Sequence, residues 1–414
     1  MRIHNKIKLK IVSLEIALIL IGVSTICFYT LSTILPFVLM NVLAGIICIW
    51  HYIQYQAFKI KVHPFLIWIT LIFAIFMVYG TFFLRNGAFN ADRFAIAYLQ
   101  CLLLYYAMKR LMTWEKQGEL IARCMAIISV ICMAILMLEM LAGQSVIRED
   151  GRIGDSLSGN VNTVGSSFGI LSIFIFTFYG LKRRKLYLVI GILLSLLILA
   201  TGSKQALVLL LIDVGILYIC SRNKAIGGIG IVLISSLFLF LIFSVDFFYN
   251  IIGYRIVDML GQFGFKLGRA HYSNSTAARI TMIQEGFQFW REHPLFGGGM
   301  NYFAARTSTY YAYSHCNVTE LLCNMGIFVA AFYYFPHVWN LSSYRKWKKK
   351  SRIEAMTMAG LLVSSLILDW MMVSYSSICI FYIPIIYSFI VREKIKQGML
   401  TKYEKDDTSS MDKH

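Results

Sequence analysis

Apolar residues fill this chain in long blocks separated by short polar or basic connectors. Blocks of this kind suit helices of about 20 residues, the length needed to cross a hydrocarbon core about 30 Å thick. In chain order they predict spans at about 11–32, 34–54, 64–84, 93–108, 120–142 and 163–181. Two shorter arms follow in Leu186–Cys220, broken at Thr201-Gly202-Ser203-Lys204, and further spans are expected at about 226–248, 316–340, 355–373 and 375–391. The expected fold class is an all-α integral membrane protein with about 12 transmembrane helices.

The longest polar interruption, 249–315, lies between predicted helices 9 and 10 and reads as an extracytoplasmic loop. Within it, Ser275 or Thr276 can cap an amphipathic helix over 277–292. Ile280, Ile283, Phe287 and Trp290 recur at helical spacing and form an apolar face expected to rest on the membrane surface or on the helical bundle. His293-Pro294 ends that helix, and Gly297-Gly298-Gly299 allows a sharp turn.

Charge orients the blocks. Basic clusters at Arg2–Lys10, Lys59–Lys61, Lys109–Lys116, Lys182–Lys185, Arg222–Lys224 and Tyr344–Arg352 mark cytoplasmic connectors. Both termini, including the tail 392–414, are then expected in the cytoplasm, with 143–162 and 249–315 outside. Lys182–Lys185 and Arg222–Lys224 are both basic, so Leu186–Cys220 must go out and come back. Arms of about 15 residues rise only some 22 Å at about 1.5 Å per residue. The Lys204 turn is therefore expected below the outer surface, re-entrant-like, in a water-filled recess.

Composition excludes an ordinary soluble domain: the 414 residues are 58% apolar and 14% charged, against about a quarter charged in globular chains. The formal charge of +18 sits mostly in the topological clusters, so nucleic acid is not an expected partner. The nine cysteines lie in or beside apolar blocks without a CxxC, as buried free thiols would.

Positive-inside sorting leaves few cations outside. Arg85, Arg93, Arg148, Lys266, Arg269 and Arg306 are among them, while Arg152, Lys204 and Arg279 fall in three motif-like segments and point to an anionic ligand. Arg291, beside Glu292, reads as a solvated helix face. His315, at the outer mouth of predicted helix 10, titrates in the right range for a proton acceptor. An interfacial histidine capping local backbone is the plainer alternative. His293 reads as shaping the turn before Pro294, and His271 stays open. The histidines are too widely spaced for a zinc-type pair, so no metal site is expected. Among carboxylates in predicted spans, Asp369 could orient His315 or act as base itself. Glu320 is near but on another helical face, and Asp213 is too far along its helix to pair with Lys204. Any of these could instead be a structural partner within the bundle.

Three segments resemble the bacterial O-antigen polymerase and O-antigen ligase superfamily. They are Gly151-Arg152-Ile153-Gly154 with Asn160 and Asn162, then Thr201-Gly202-Ser203-Lys204-Gln205-Ala206, and then the run from Arg279 through His293-Pro294-Leu295-Phe296-Gly297-Gly298-Gly299 to His315-Cys316-Asn317 and Gly326. Lys204 stands where arginine is common in the family. The resemblance implies an architecture similar to GT-C-type lipid-linked glycosyltransferases and a metal-independent transferase without cofactor. Its donor would be a glycan on undecaprenyl diphosphate in the bacterial inner membrane, and its acceptor a sugar hydroxyl. The expected catalytic residues are His315, Arg279 and Asp369. Diphosphate and glycan contacts are expected from Arg152, Asn162, Lys204, Arg279 and Asn317. A polymerase of polysaccharide repeat units (O-antigen, capsule or exopolysaccharide) is the first reading, with a chain-length regulator and a flippase as pathway partners. A ligase acting on lipopolysaccharide core or another acceptor is the alternative. A flippase of lipid-linked oligosaccharide, the non-enzymatic alternative, would distribute polar residues through the spans and show symmetric halves; no internal repeat is apparent.

Overall fold

The computed structural model describes residues 2–28, 30–31, 34–54, 63–112, 117–142, 151–220, 224–254, 256–257, 274–307, 313–349, 351–375 and 379–396. Arg148, Lys266, Arg269, His271 and the tail beyond 396 lie outside them. Among the described residues there is no strand, and the one extended pairing is an isolated bridge between Leu84 and Met300.

The first half consists of α1 (Arg2–Ile26), α2 (Ile34–Gln54), α3 (Pro64–Phe82), α4 (Ala91–Leu111) and α5 (Gln117–Leu141). A single turn, α6 (Asp155–Ser158), precedes α7 (Val161–Lys182), α8 (Lys185–Ala200), α9 (Lys204–Cys220) and α10 (Lys224–Ser244). Beyond these come α11 (Asn274–Glu292), α12 (Tyr302–Arg306), α13 (Asn317–Leu341), α14 (Tyr344–Lys348), α15 (Arg352–Asp369) and α16 (Ile383–Lys396). Five helical stretches among the described residues are long and apolar enough to cross a membrane: Leu35–Gln54, Pro64–Phe82, Gly118–Leu141, Val161–Lys182 and Asn317–Lys348. The chain is an all-α, multi-pass membrane protein.

Helix α7 is the hub of the bundle, with nearly every residue from Val161 to Phe178 buried. Its glycines let α9 approach closely: a Cβ on Gly165 would meet Thr201, Ser203 and Ala206, and one on Gly169 would meet Leu209. Small residues at such contacts are how helices pack in lipid, where the hydrophobic effect no longer drives association. This packing fixes the Thr201-Gly202-Ser203 turn against the start of α7. All three turn residues are buried, and Gly202 takes a left-handed φ of +60°.

The sequence predicts one continuous span over 316–340, but α13 is broken. Gly326 has φ 79° and ψ 179°, far outside helical geometry. Asn317 Nδ2 consequently donates to Tyr334 Oη at 3.0 Å. In a straight helix 17 residues would separate their Cα atoms by about 25 Å, so Asn317–Met325 folds back beside the second half.

Helix α11 buries a second face beside the predicted stripe. Met282, Gly286 and Phe289 are buried, against Phe303, Tyr302, Cys323 and Thr319, while Ile280 is 47% exposed and Ile283, Phe287 and Trp290 are half-buried. Apolar spacing alone picks a stripe; here a glycine at 286, which periodicity ignores, sits at the centre of the contact and lets Thr319 approach.

Candidate active site

The loop after α11 builds one side of the site by wedging into the break in α13. Gly298 N donates to Cys323 O and Gly299 N to Asn324 O, each at 2.9 Å, and Ile327 N donates to Pro294 O at 3.0 Å. A helix break exposes carbonyls and N–H groups that need partners, and the glycine run supplies them. No side chain fits here: a Cβ on Gly297 would lie 2.3 Å from Met325 N. His293 ends α11, its carbonyl accepting from Gly297 N at 2.9 Å and its ring packed edge-on against Tyr302.

The same loop is clasped to the segment after α3. Arg85 N donates to Met300 O at 2.9 Å and Arg85 Nε to Gly298 O at 2.6 Å. Asn301 Nδ2 donates to Asn86 O at 2.8 Å, and Asn86 Nδ2 to Ala304 O at 3.2 Å. Residues from two distant parts of the chain thus meet at the rim of one cavity of about 500 Å³.

Arg279, His315, Asn162, Gln205 and Glu320 line this cavity, and Asn86, Asn90 and Arg93 line it from the α3–α4 segment. His315 sits in a tight turn with φ +55°, a conformation histidine adopts more readily than most side chains. Ser314 stabilises that turn, its N–H donating to Glu320 Oε2 at 2.7 Å and its hydroxyl to Cys316 O at 2.9 Å. Burial first, and the Arg279 charge second, push the His315 pKa down to about 4. The imidazole is therefore neutral at physiological pH and able to accept a proton.

Arg152 is buried just behind the cavity wall. Its Nη2 donates to Asn162 Oδ1 at 2.6 Å and its Nε to Thr201 O at 2.8 Å, joining two of the motif segments. Asn160 caps α7, its Oδ1 accepting from Asn162 N at 2.9 Å. Lys204 begins α9, and its neighbour Gln205 reaches the cavity. Gln205 Oε1 accepts from Ser166 Oγ at 3.3 Å, and its Nε2 donates to Met371 O.

Asn317 and Asp369 do not line the cavity. Asn317 Oδ1 accepts from Ser374 N and Tyr375 N, both at 2.9 Å, and Asp369 Oδ1 accepts from Ser374 Oγ. Together they shape the 370–375 turn, whose Met372, Val373 and Tyr375 form the cavity wall there. The structure thus brings Arg279, His315 and Asn162 to one space, with Arg152 directly behind Asn162 and Lys204 one residue from the lining. It adds Glu320, Gln205 and the Asn86–Arg93 wall. Arg93 was legible as an outward cation, and Gln205 lay inside a quoted motif. Glu320 comes round to the cavity because the first segment of α13 is packed beside the second. Among the described residues no three His, Cys, Asp or Glu side chains form a metal-binding group.

Residues 186–334 match the family model described as O-antigen ligase. The match covers Lys204, Arg279, the glycine loop, His315, the first segment of α13 and the start of its second, and it supports placement in the O-antigen ligase and polymerase superfamily. It leaves out Arg152, Asn162 and the Asn86–Arg93 wall. No curated protein matches the chain.

Proposed function

We propose that the protein is a polysaccharide polymerase, transferring a glycan from undecaprenyl diphosphate to a sugar hydroxyl of another lipid-linked repeat unit. The observation that carries this reading is that Arg279 and His315, both in the segment matched to O-antigen ligases, share one polar cavity. In the reaction the acceptor oxygen bonds to the donor's anomeric carbon while the bond from that carbon to the diphosphate oxygen breaks. The acceptor proton passes to the neutral imidazole of His315 and then to water. Negative charge grows on the departing diphosphate, and Arg279, already in place, stabilises it more in the transition state than in the ground state. Asn162, held by Arg152, and Lys204 orient the donor; Asp369 and Asn317 act through the 370–375 turn.

On this reading the chain lies in a bacterial inner membrane with about twelve spans in a GT-C-like arrangement. Both termini are cytoplasmic, the cavity faces outward, and no metal or cofactor is needed. A chain-length regulator and a flippase would work beside it. Arg279→Ala and His315→Ala should each abolish polymer formation at unchanged membrane abundance; normal polymer from either variant rejects that residue's role.

The description of the matched family favours a second reading, a ligase that delivers the finished chain to another acceptor. Glycan recovered from a deletion strain separates the two. Single repeat units on lipid indicate a polymerase, and long polymer still on lipid indicates a ligase.

A further inference from the structure

The cavity has a second wall that the matched segment does not supply. It is built by Asn86, Asn90 and Arg93, with Asn301 across the clasp. The side chains of Arg93 and Asn90 have no hydrogen-bond or ionic partner among the described residues. Asn90 is the N-cap residue of α4, yet its side chain makes no capping bond, the usual work of asparagine at that position. Asn86 and Asn301 each commit an amide N–H to a backbone carbonyl, which fixes the side chains, and no described group donates to either Oδ1.

Carboxamides offer donors and acceptors together. That chemistry matches sugar hydroxyls and is poorly matched to a diphosphate, which only accepts. One unpartnered guanidinium among them suits a carboxylate. The positive end of α4 reinforces this, since the first turn of a helix leaves N–H groups open. Asp92, in the same turn, does not line the cavity.

We infer that the Asn86, Asn90, Arg93 and Asn301 wall is a glycan subsite that recognises an acidic sugar of the acceptor through Arg93. This rests on the transferase reading above for the word acceptor, but the binding preference is measurable without turnover. The probes are a glucuronic acid disaccharide and its carboxyl-reduced counterpart, titrated calorimetrically against the full chain in detergent. Wild type should bind the acid about tenfold more tightly than the reduced sugar. Arg93→Gln should erase that preference, whereas Arg279→Ala should retain it. Asn90→Ala should weaken both sugars alike.

Equal binding of the two probes by wild type overturns the subsite. So does loss of the preference in Arg279→Ala rather than Arg93→Gln, because the carboxylate would then sit at the diphosphate position. A wild type that discriminates between the probes yet transfers no glycan from any lipid-linked donor leaves the subsite standing and removes the transferase reading.

Discussion

Gly326→Ala tests how the site is held together. At φ 79° and ψ 179° the backbone lies in a region essentially reserved for glycine, so alanine costs about 1–3 kcal/mol in strain. Its Cβ would also lie 2.2 Å from the carbonyl oxygen of Leu295, which forces the 294–299 loop outward. Three backbone hydrogen bonds depend on that loop staying seated, each worth about 0.5–1.5 kcal/mol net. The combined loss is at least about 2.5 kcal/mol of local stability, or roughly two powers of ten in the opening equilibrium. Hydrogen exchange of a peptide spanning Gly297–Met300 should therefore accelerate about 100-fold, while peptides from α7 keep their protection. Turnover should fall by a similar factor, because Met300 and Asn301 line the cavity and misplacement of about 1 Å can cost about 100-fold. Gly326→Asn should fail equally, since asparagine tolerates the left-handed region but not this one. Unchanged exchange and turnover in the alanine variant would refute the wedge as the element holding the rim.

Arg152→Lys should lose most activity, because an ammonium lacks the fork that reaches Asn162 and the Thr201 carbonyl together; near-normal turnover contradicts that role. Lys204→Arg should retain more activity than Lys204→Ala if the charge matters, and equal losses point to packing. For His315, a folded-state pKa near 4 lies below the unfolded value of about 6.5. The unfolded chain then binds the extra proton between those values, so this residue costs no stability above about pH 6.5 and destabilises increasingly as pH falls toward 4. In the free enzyme it stays a proton acceptor down to about pH 4, which sets the acid limb of kcat/KM; a bound diphosphate anion should move the limb of kcat upward. Coincident limbs near 6.5 would refute the assignment.

Most helix positions were readable because apolar blocks of helical length alternate with short polar connectors. The last span, expected over 375–391, is instead a helix over Ile383–Lys396 preceded by a 3-10 turn at Cys379–Tyr382. The break in α13 was not readable. Gly326 sits inside an apolar run, and only its tertiary partner, the Pro294–Gly299 loop, explains why the helix gives way there. The same dependence on distant partners concealed Glu320 and Asn86. Their chemistry is ordinary in sequence; Glu320 is placed by the break in α13, and Asn86 by a clasp between segments more than 200 residues apart, as in its side-chain bond to Ala304 O. Arg279 and His315 stood out because a basic residue and a titratable one fall in a segment that the charge pattern predicts to be outside. Arg152 also stood out, but its geometry is that of a brace, tying the start of α7 to the turn before α9.

Because one wall comes from residues 86–94 and the rest from residues between 160 and 375, neither part of the chain holds a complete pocket. A fragment limited to 186–334 would keep Arg279 and His315 yet lose the lining supplied by residues 86–94, 160–163 and 372–375. The division also separates two kinds of change. On the proposed subsite reading, substitutions at residues 86–93 would retune which saccharide is admitted while Arg279 and His315 are left untouched, so that this stretch would act as an exchangeable cassette on one scaffold.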